Sequence, residues 1–197
     1  MTEQYESVEL VGDNTVQYFA MAVVVAALTA ALAQFTVPYP FSPAPFTLQT
    51  VGVYLAGLLL GPLWGALSLL LYAMVGAAGA PVFAGFGAGF GVITGPTGGY
   101  ILSFPIAAGI IGALVHRRVD PRALDSVSVP IQVVGMLVGL AVIYAIGSVW
   151  LAASTDQSLV TGLIEGGVVF VPGDLLKAVA VISLVTGGHL ARISFVE

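Results

Sequence analysis

The sequence predicts an all-α integral membrane protein of six transmembrane helices, with structured loops after the first and third. Three observations carry that expectation. Charged residues make up 8% of the chain, against the ~25% of an ordinary soluble domain. Hydrophobic residues make up 58%, and the mean hydropathy is +1.05. Apolar runs suited to crossing a bilayer alternate with breaks, and every arginine falls in one of two breaks, after the fourth and sixth runs.

Six spans put both termini on one side. The chain then divides into a tail at 1–15, a membrane domain at 16–190 and a tail at 191–197. Arg117, Arg118 and Arg122 follow the fourth span and Arg192 follows the sixth, so all four share the face of the N-terminus. The positive-inside rule makes that face, and both tails, cytoplasmic, and places the protein in the cell membrane. Adding or losing a span between the two clusters would split them.

The start of the chain is acidic, and no Lys or Arg occurs in its first 116 residues. A secretory signal begins with a positive region, so the first apolar run, 16–34, is expected to be a retained helix. Ala22, Ala26 and Ala30 form a small-xxx-small row on it, and Ala27 and Ala31 extend the adjacent row. Such rows let a second helix approach closely. That helix belongs either to the same bundle or to a docking partner.

Residues 35–46 contain four prolines, which exclude a helix. Their aromatics are too apolar for a solvated linker, which leaves a loop folded over the bundle mouth or an aromatic belt at the membrane surface. Residues 47–60 and 62–80 read as a helical hairpin broken at Gly61-Pro62. Glycine then alternates with larger residues from Gly85 to Gly91 without forming a dinucleotide-binding fingerprint. Glycine-rich backbone at membrane depth survives only where protein buries it or where it lines a cavity. A pocket wall and a flexible outer loop are the two readings. Spans at 96–115, 129–152 and 168–190 follow, with a polar break at 116–122 and an acidic loop at 153–167.

Composition excludes several functions. The chain has no cysteine, so it has no disulfide and no thiol chemistry. A formal charge of −5 argues against nucleic acid. There is no GxxxxGK[ST] loop, no H-E-x-x-H, no G-x-S-x-G and no mid-membrane histidine. No catalytic residue, metal site or cofactor is expected, and a binding or transport function is.

The chemistry centres on the last span. Asp174 and Lys177, the only lysine, lie three residues apart and so share one helix face. At 1.5 Å per residue they sit about 9–14 Å inside the outer end of that span. Each charge there costs roughly 2.5–3.5 kcal/mol on insertion scales, and intramembrane ionisable groups are functional by default. The carboxylate accepts N–H donors and the ammonium donates to carbonyls or anions. Together they suit a small ligand bearing both kinds of group. Gln49, Thr97 and Tyr100 could add neutral contacts, though Gln49 could equally bond one helix to another. A packing ion pair and a proton relay are the other readings.

Four motifs point further: Pro45-Phe46-Thr47-Leu48-Gln49-Thr50, Ala56-Gly57-Leu58-Leu59-Leu60-Gly61-Pro62, Gly79-Ala80-Pro81-Val82-Phe83-Ala84-Gly85 and Gly95-Pro96-Thr97-Gly98-Gly99-Tyr100. In this order, with Asp-x-x-Lys on the last helix, the chain closely resembles the BioY family, the biotin-binding S components of energy-coupling factor (ECF) transporters. The resemblance covers about residues 16–190. It implies the six-helix S-component fold and biotin capture under the loops after helices one and three. It implies that Asp174 and Lys177 contact biotin, and adds Phe83 and Gly98 to the substrate-binding candidates. It makes the alanine rows a docking face for a transmembrane coupling subunit, with two ATPase subunits completing the machine. An S component for another vitamin, or a structural membrane subunit, is the alternative.

Overall fold

The computed structural model describes residues 13–187. Arg192, the C-terminal tail and nearly all of the N-terminal tail named above lie outside the described residues. Among the described residues there are seven α-helices and one two-stranded ribbon: α1 (Asp13–Ala33), β1 (Thr36–Val37), β2 (Phe46–Thr47), α2 (Gln49–Ala77), α3 (Phe90–Thr94), α4 (Gly98–His116), α5 (Val129–Ser154), α6 (Leu159–Gly166) and α7 (Val171–Thr186). Five helical stretches among the described residues are long and apolar enough to cross a membrane, with α6 and α7 counted as one.

The sixth rod comes from α2. Gly61 adopts φ 71°, ψ −170°, a conformation nearly closed to side-chain-bearing residues, and Pro62 starts a new helix after it. The two arms fold back on each other. Gln49 Nε2 donates to the Tyr72 hydroxyl at 2.7 Å, whereas a straight helix would hold those residues ~35 Å apart. Gly65 lies against the Ala56 carbonyl. The six-rod topology follows, as the sequence predicts.

The first arm, ending at Leu60, is only ~18 Å long, well short of a ~30 Å hydrocarbon core. Its N-terminal end, at Gln49, opens into a cavity that takes up part of the remaining depth. The hairpin tip packs at the opposite end, where Gly61 faces Val119 and Pro121. His116 fixes that end. The Arg122 backbone N–H donates to His116 Nδ1 at 2.9 Å, so the ring proton sits on Nε2 and is given to the Leu58 carbonyl, also at 2.9 Å.

Alternation of the rods gathers the loops between α1 and α2, α2 and α4, and α5 and α7 at one end, the mouth. The proline loop is a hairpin there: Thr36 pairs with Thr47 and Val37 with Phe46. The glycine segment is pinned by Gln34, whose Oε1 accepts the Phe86 N–H at 2.8 Å and whose Nε2 donates to the Phe83 carbonyl at 3.2 Å. Ala84 and Gly87 from this segment line the cavity, so it is a wall.

Two expectations need correction. The stretch 153–167, read as a loop, contains α6. Ser158 caps it by accepting the Thr161 N–H at 3.1 Å, a start signal present in the sequence. The first alanine row does not face outward. Ala22 and Ala26 are buried with Tyr18, Val25, Thr29 and Ala33, and Ser68 of α2 donates to the Ala22 carbonyl at 2.8 Å. Ala30 packs half-buried against the same core. These three alanines admit α2, while Ala27 and Ala31 remain exposed.

Candidate functional site

The cavity at the mouth holds about 250 Å³. It is bounded by the proline hairpin, the start of α2, the glycine segment, the start of α4, the middle of α5 and the start of α7. Asp174, Lys177, Gln49, Thr97, Tyr100 and Phe83 all line it. Gly98 does not. A side chain there would run into the Ile93 carbonyl at 1.7 Å, so Gly98 lets the α3 segment lie against α4.

Helix α7 has Pro172 in its first turn, a position where the missing N–H costs nothing, and Asp174 follows in the same turn, where the helix dipole favours an anion. Asp174 and Lys177 belong to the helix's buried stripe with Ala178, Val181 and Val185, while Leu175, Leu176 and Val179 face outward. The one ion pair among the described residues is thereby turned inward. Lys177 Nζ lies 2.9 Å from Asp174 Oδ1, and both residues are almost fully buried.

Every strong group in the pair has protein partners. Asp174 Oδ1 accepts from Lys177 and, at 2.5 Å, from the Thr50 hydroxyl. Asp174 Oδ2 accepts from the Tyr144 hydroxyl. Lys177 also donates to the Thr47 carbonyl at 2.5 Å and to Thr50 Oγ1 at 3.2 Å, and its ammonium sits 3.7 Å from the Phe46 ring centroid. A carboxylate oxygen accepts about two hydrogen bonds. Oδ1 is therefore filled, and Oδ2 keeps one acceptor position for a ligand.

The other candidates divide by duty. Gln49 lines the cavity; one N–H of its side-chain amide goes to the Tyr72 hydroxyl and its amide oxygen accepts from Thr47 Oγ1 at 2.8 Å, so it bonds the two arms of α2 as well as forming a wall. The Tyr100 ring faces the cavity while its hydroxyl donates to the Gly166 carbonyl at 2.7 Å, which fastens α6 to α4. Thr97, at the N-terminal boundary of α4, presents a hydroxyl that has no hydrogen-bond partner among the described residues. Phe83 packs edge-on against Tyr72, with centroids 5.5 Å apart.

Thr50, Tyr144, Phe46 and Phe170 are among the cavity-lining residues that sequence reasoning did not single out. Phe170 anchors the apolar wall, with Tyr39, Phe46 and Tyr144 at centroid distances of 5.3, 6.4 and 6.3 Å. Tyr54 adds a fully buried hydroxyl without a partner nearby on α2. The arrangement is built for binding: one charged pair, a few oriented hydroxyls and an aromatic enclosure. Among the described residues no cluster of His, Asp or Glu could hold a metal.

The model of the BioY family matches residues 3–193. The chain belongs to the BioY family. A probable biotin transporter BioY from Pyrococcus horikoshii is 44% identical over 154 residues, which covers 77% of this chain and 83% of that protein. The biotin transporter BioY of Thermotoga maritima is 36% identical over 140 residues, covering 71% and 78%. Among solved structures, the S component for biotin from an ECF-type ABC transporter superposes with a TM-score of 0.78 at 25% identity, over 95% of this chain and 96% of that one. Three motifs of the BioY resemblance, 45–50, 79–85 and 95–100, contribute cavity-lining residues.

Proposed function

We propose that this protein captures biotin as the substrate-binding component of an ECF-type vitamin transporter. The observation that carries the proposal is the position of the Asp174–Lys177 pair: the polar floor of a cavity walled by aromatic rings in an otherwise apolar bundle. In this reading Asp174 Oδ2 accepts an N–H of the ureido ring, Thr97 supplies a further polar contact, and Phe46, Phe83 and Phe170 enclose the hydrocarbon part. The mouth faces outward and both termini face the cytoplasm of the cell membrane, as the arginine distribution supports. A transmembrane coupling subunit and two ATPase subunits supply the energy. The exposed Ala27–Ala31 row is the part of the alanine face left for docking.

The test is mass spectrometry of small molecules released from the purified protein. Biotin is the expected species, and stoichiometric release of a different vitamin would reject the assignment. A finer expectation concerns Tyr144. Hydrogen bonds to charged groups contribute about 1.5–3 kcal/mol, so Tyr144→Phe should weaken biotin binding roughly 10- to 100-fold. Calorimetric titration checks it, and an unchanged affinity would remove Tyr144 from the site.

A further inference from the structure

We propose that the end of the bundle opposite the mouth carries a binding site for the phosphate group of an anionic lipid, held by Tyr18, Trp64 and Arg118. The site is independent of what the cavity binds.

Three elements meet there: the start of α1, the second arm of α2 just after Pro62, and the loop that follows α4. Tyr18 stacks on Trp64, with ring centroids 6.0 Å apart. Tyr18 is only 8% exposed, yet its hydroxyl has no hydrogen-bond partner among the described residues, and neither has the Trp64 indole N–H. Buried tyrosine and tryptophan usually find a partner for these groups. Two aromatic donors are therefore left over at one end of the molecule.

Arg118 supplies the charge. Its Nε donates to the Asp120 carbonyl at 3.0 Å and one Nη to the Pro121 carbonyl at 3.2 Å. These bonds fix the guanidinium on the loop and leave three of its five N–H groups unclaimed. The loop is itself seated, through the Arg122 N–H on His116 and through Gly61 against Val119 and Pro121. Arg118 lies close enough to Tyr18 for its charge to act on the phenol, as does Asp120. No carboxylate pairs with it. The one ion pair among the described residues is Asp174–Lys177, and Asp120 offers Arg118 its backbone carbonyl rather than its side chain. Arg117 adds a second exposed guanidinium without a partner among the described residues.

The surroundings favour a lipid over a soluble anion. Phe19 beside Tyr18, and Leu63 and Leu67 beside Trp64, are exposed apolar side chains suited to acyl chains. Tyrosine and tryptophan of membrane proteins gather at headgroup level. A phosphodiester at that depth offers charged oxygens to N–H and O–H donors together, and bonds of that kind are about twice as strong as neutral ones. The arginine distribution puts this end at the cytoplasmic leaflet, where anionic lipids attract basic side chains.

Native mass spectrometry of the full chain in detergent, titrated with phosphatidylglycerol or phosphatidylcholine, tests the site. One phosphatidylglycerol per chain should be retained at about fivefold lower concentration than phosphatidylcholine. Arg118→Gln should erase that preference. Tyr18→Phe and Trp64→Phe, which keep the ring stack and remove one donor each, should weaken phosphatidylglycerol retention by ~3-fold or more. Biotin binding should be the same in all three variants, because none of these residues lines the cavity. Tyr18→Phe decides the matter if Arg118→Gln fails to purify. Equal retention of the two lipids by the parent, or undiminished phosphatidylglycerol retention in the variants, would overturn the site. Displacement of the lipid by equimolar inorganic phosphate would assign the donors to a soluble anion and overturn the lipid reading.

Discussion

Asp174→Asn should abolish measurable biotin binding while the protein still inserts and purifies. The substitution keeps the shape of the side chain and removes its charge. Lys177, almost fully buried, then loses its counter-ion, and one carboxylate oxygen becomes an amide donor facing other donors, either Tyr144 or Lys177 and Thr50. Removing one member of a buried, hydrogen-bonded charge pair costs about 2–5 kcal/mol, roughly 30- to several thousand-fold in affinity. The ligand's own N–H group loses its acceptor as well. Calorimetry on detergent-purified protein reads the loss, and a size-exclusion profile matching the parent shows that the fold persists. Normal biotin affinity in this variant would make the pair structural and place the site elsewhere.

Gly112→Val should remove the folded protein altogether. Helix α4 crosses the α2 hairpin where a Cβ on Gly112 would lie 2.3 Å from the Gly61 carbonyl carbon and 2.4 Å from the Pro62 nitrogen. Both are backbone atoms of the turn that creates the sixth rod, so no side chain can swing away. Overpacking a well-filled core costs about 1–3 kcal/mol, and more when the neighbour is rigid. The result should be loss of the monodisperse peak and of any binding. Gly91→Ala, with open space around the added carbon, is the control and should behave as the parent. A well-folded Gly112→Val protein would show that the helices separate at this crossing without penalty.

The architecture is legible in the sequence because the bilayer simplifies the problem. Apolar length identifies the rods, and the Gly61-Pro62 break separates the two arms of α2. What periodicity does not give is which of two adjacent faces points inward. Ala22 and Ala27 lie on neighbouring rows of equal apolarity, and only the arrival of α2 buries the first. The site is legible where it departs from its surroundings. Asp174 and Lys177 stand out because charge is rare at that depth. Tyr144 and Thr50 do not, since a single tyrosine or threonine on an apolar helix is ordinary. Their meaning comes from Asp174, which lies 30 and 124 residues away in the chain. Gly98 shows the reverse error: it belongs to a distinctive motif, yet serves the approach of backbone to helix.

Because the chain contains a single lysine, its side-chain amine can be followed without ambiguity. Protein grown on isotopically labelled lysine would give one ζ-nitrogen resonance, and that resonance would belong to the site. Its rate of exchange with solvent would report how often the roof opens. Amine-directed reagents would behave in the same way: apart from the α-amino group, the one nucleophile they could find lies behind the proline hairpin. Chemical modification would then measure access to the cavity, and protection by biotin would give occupancy without any engineered label.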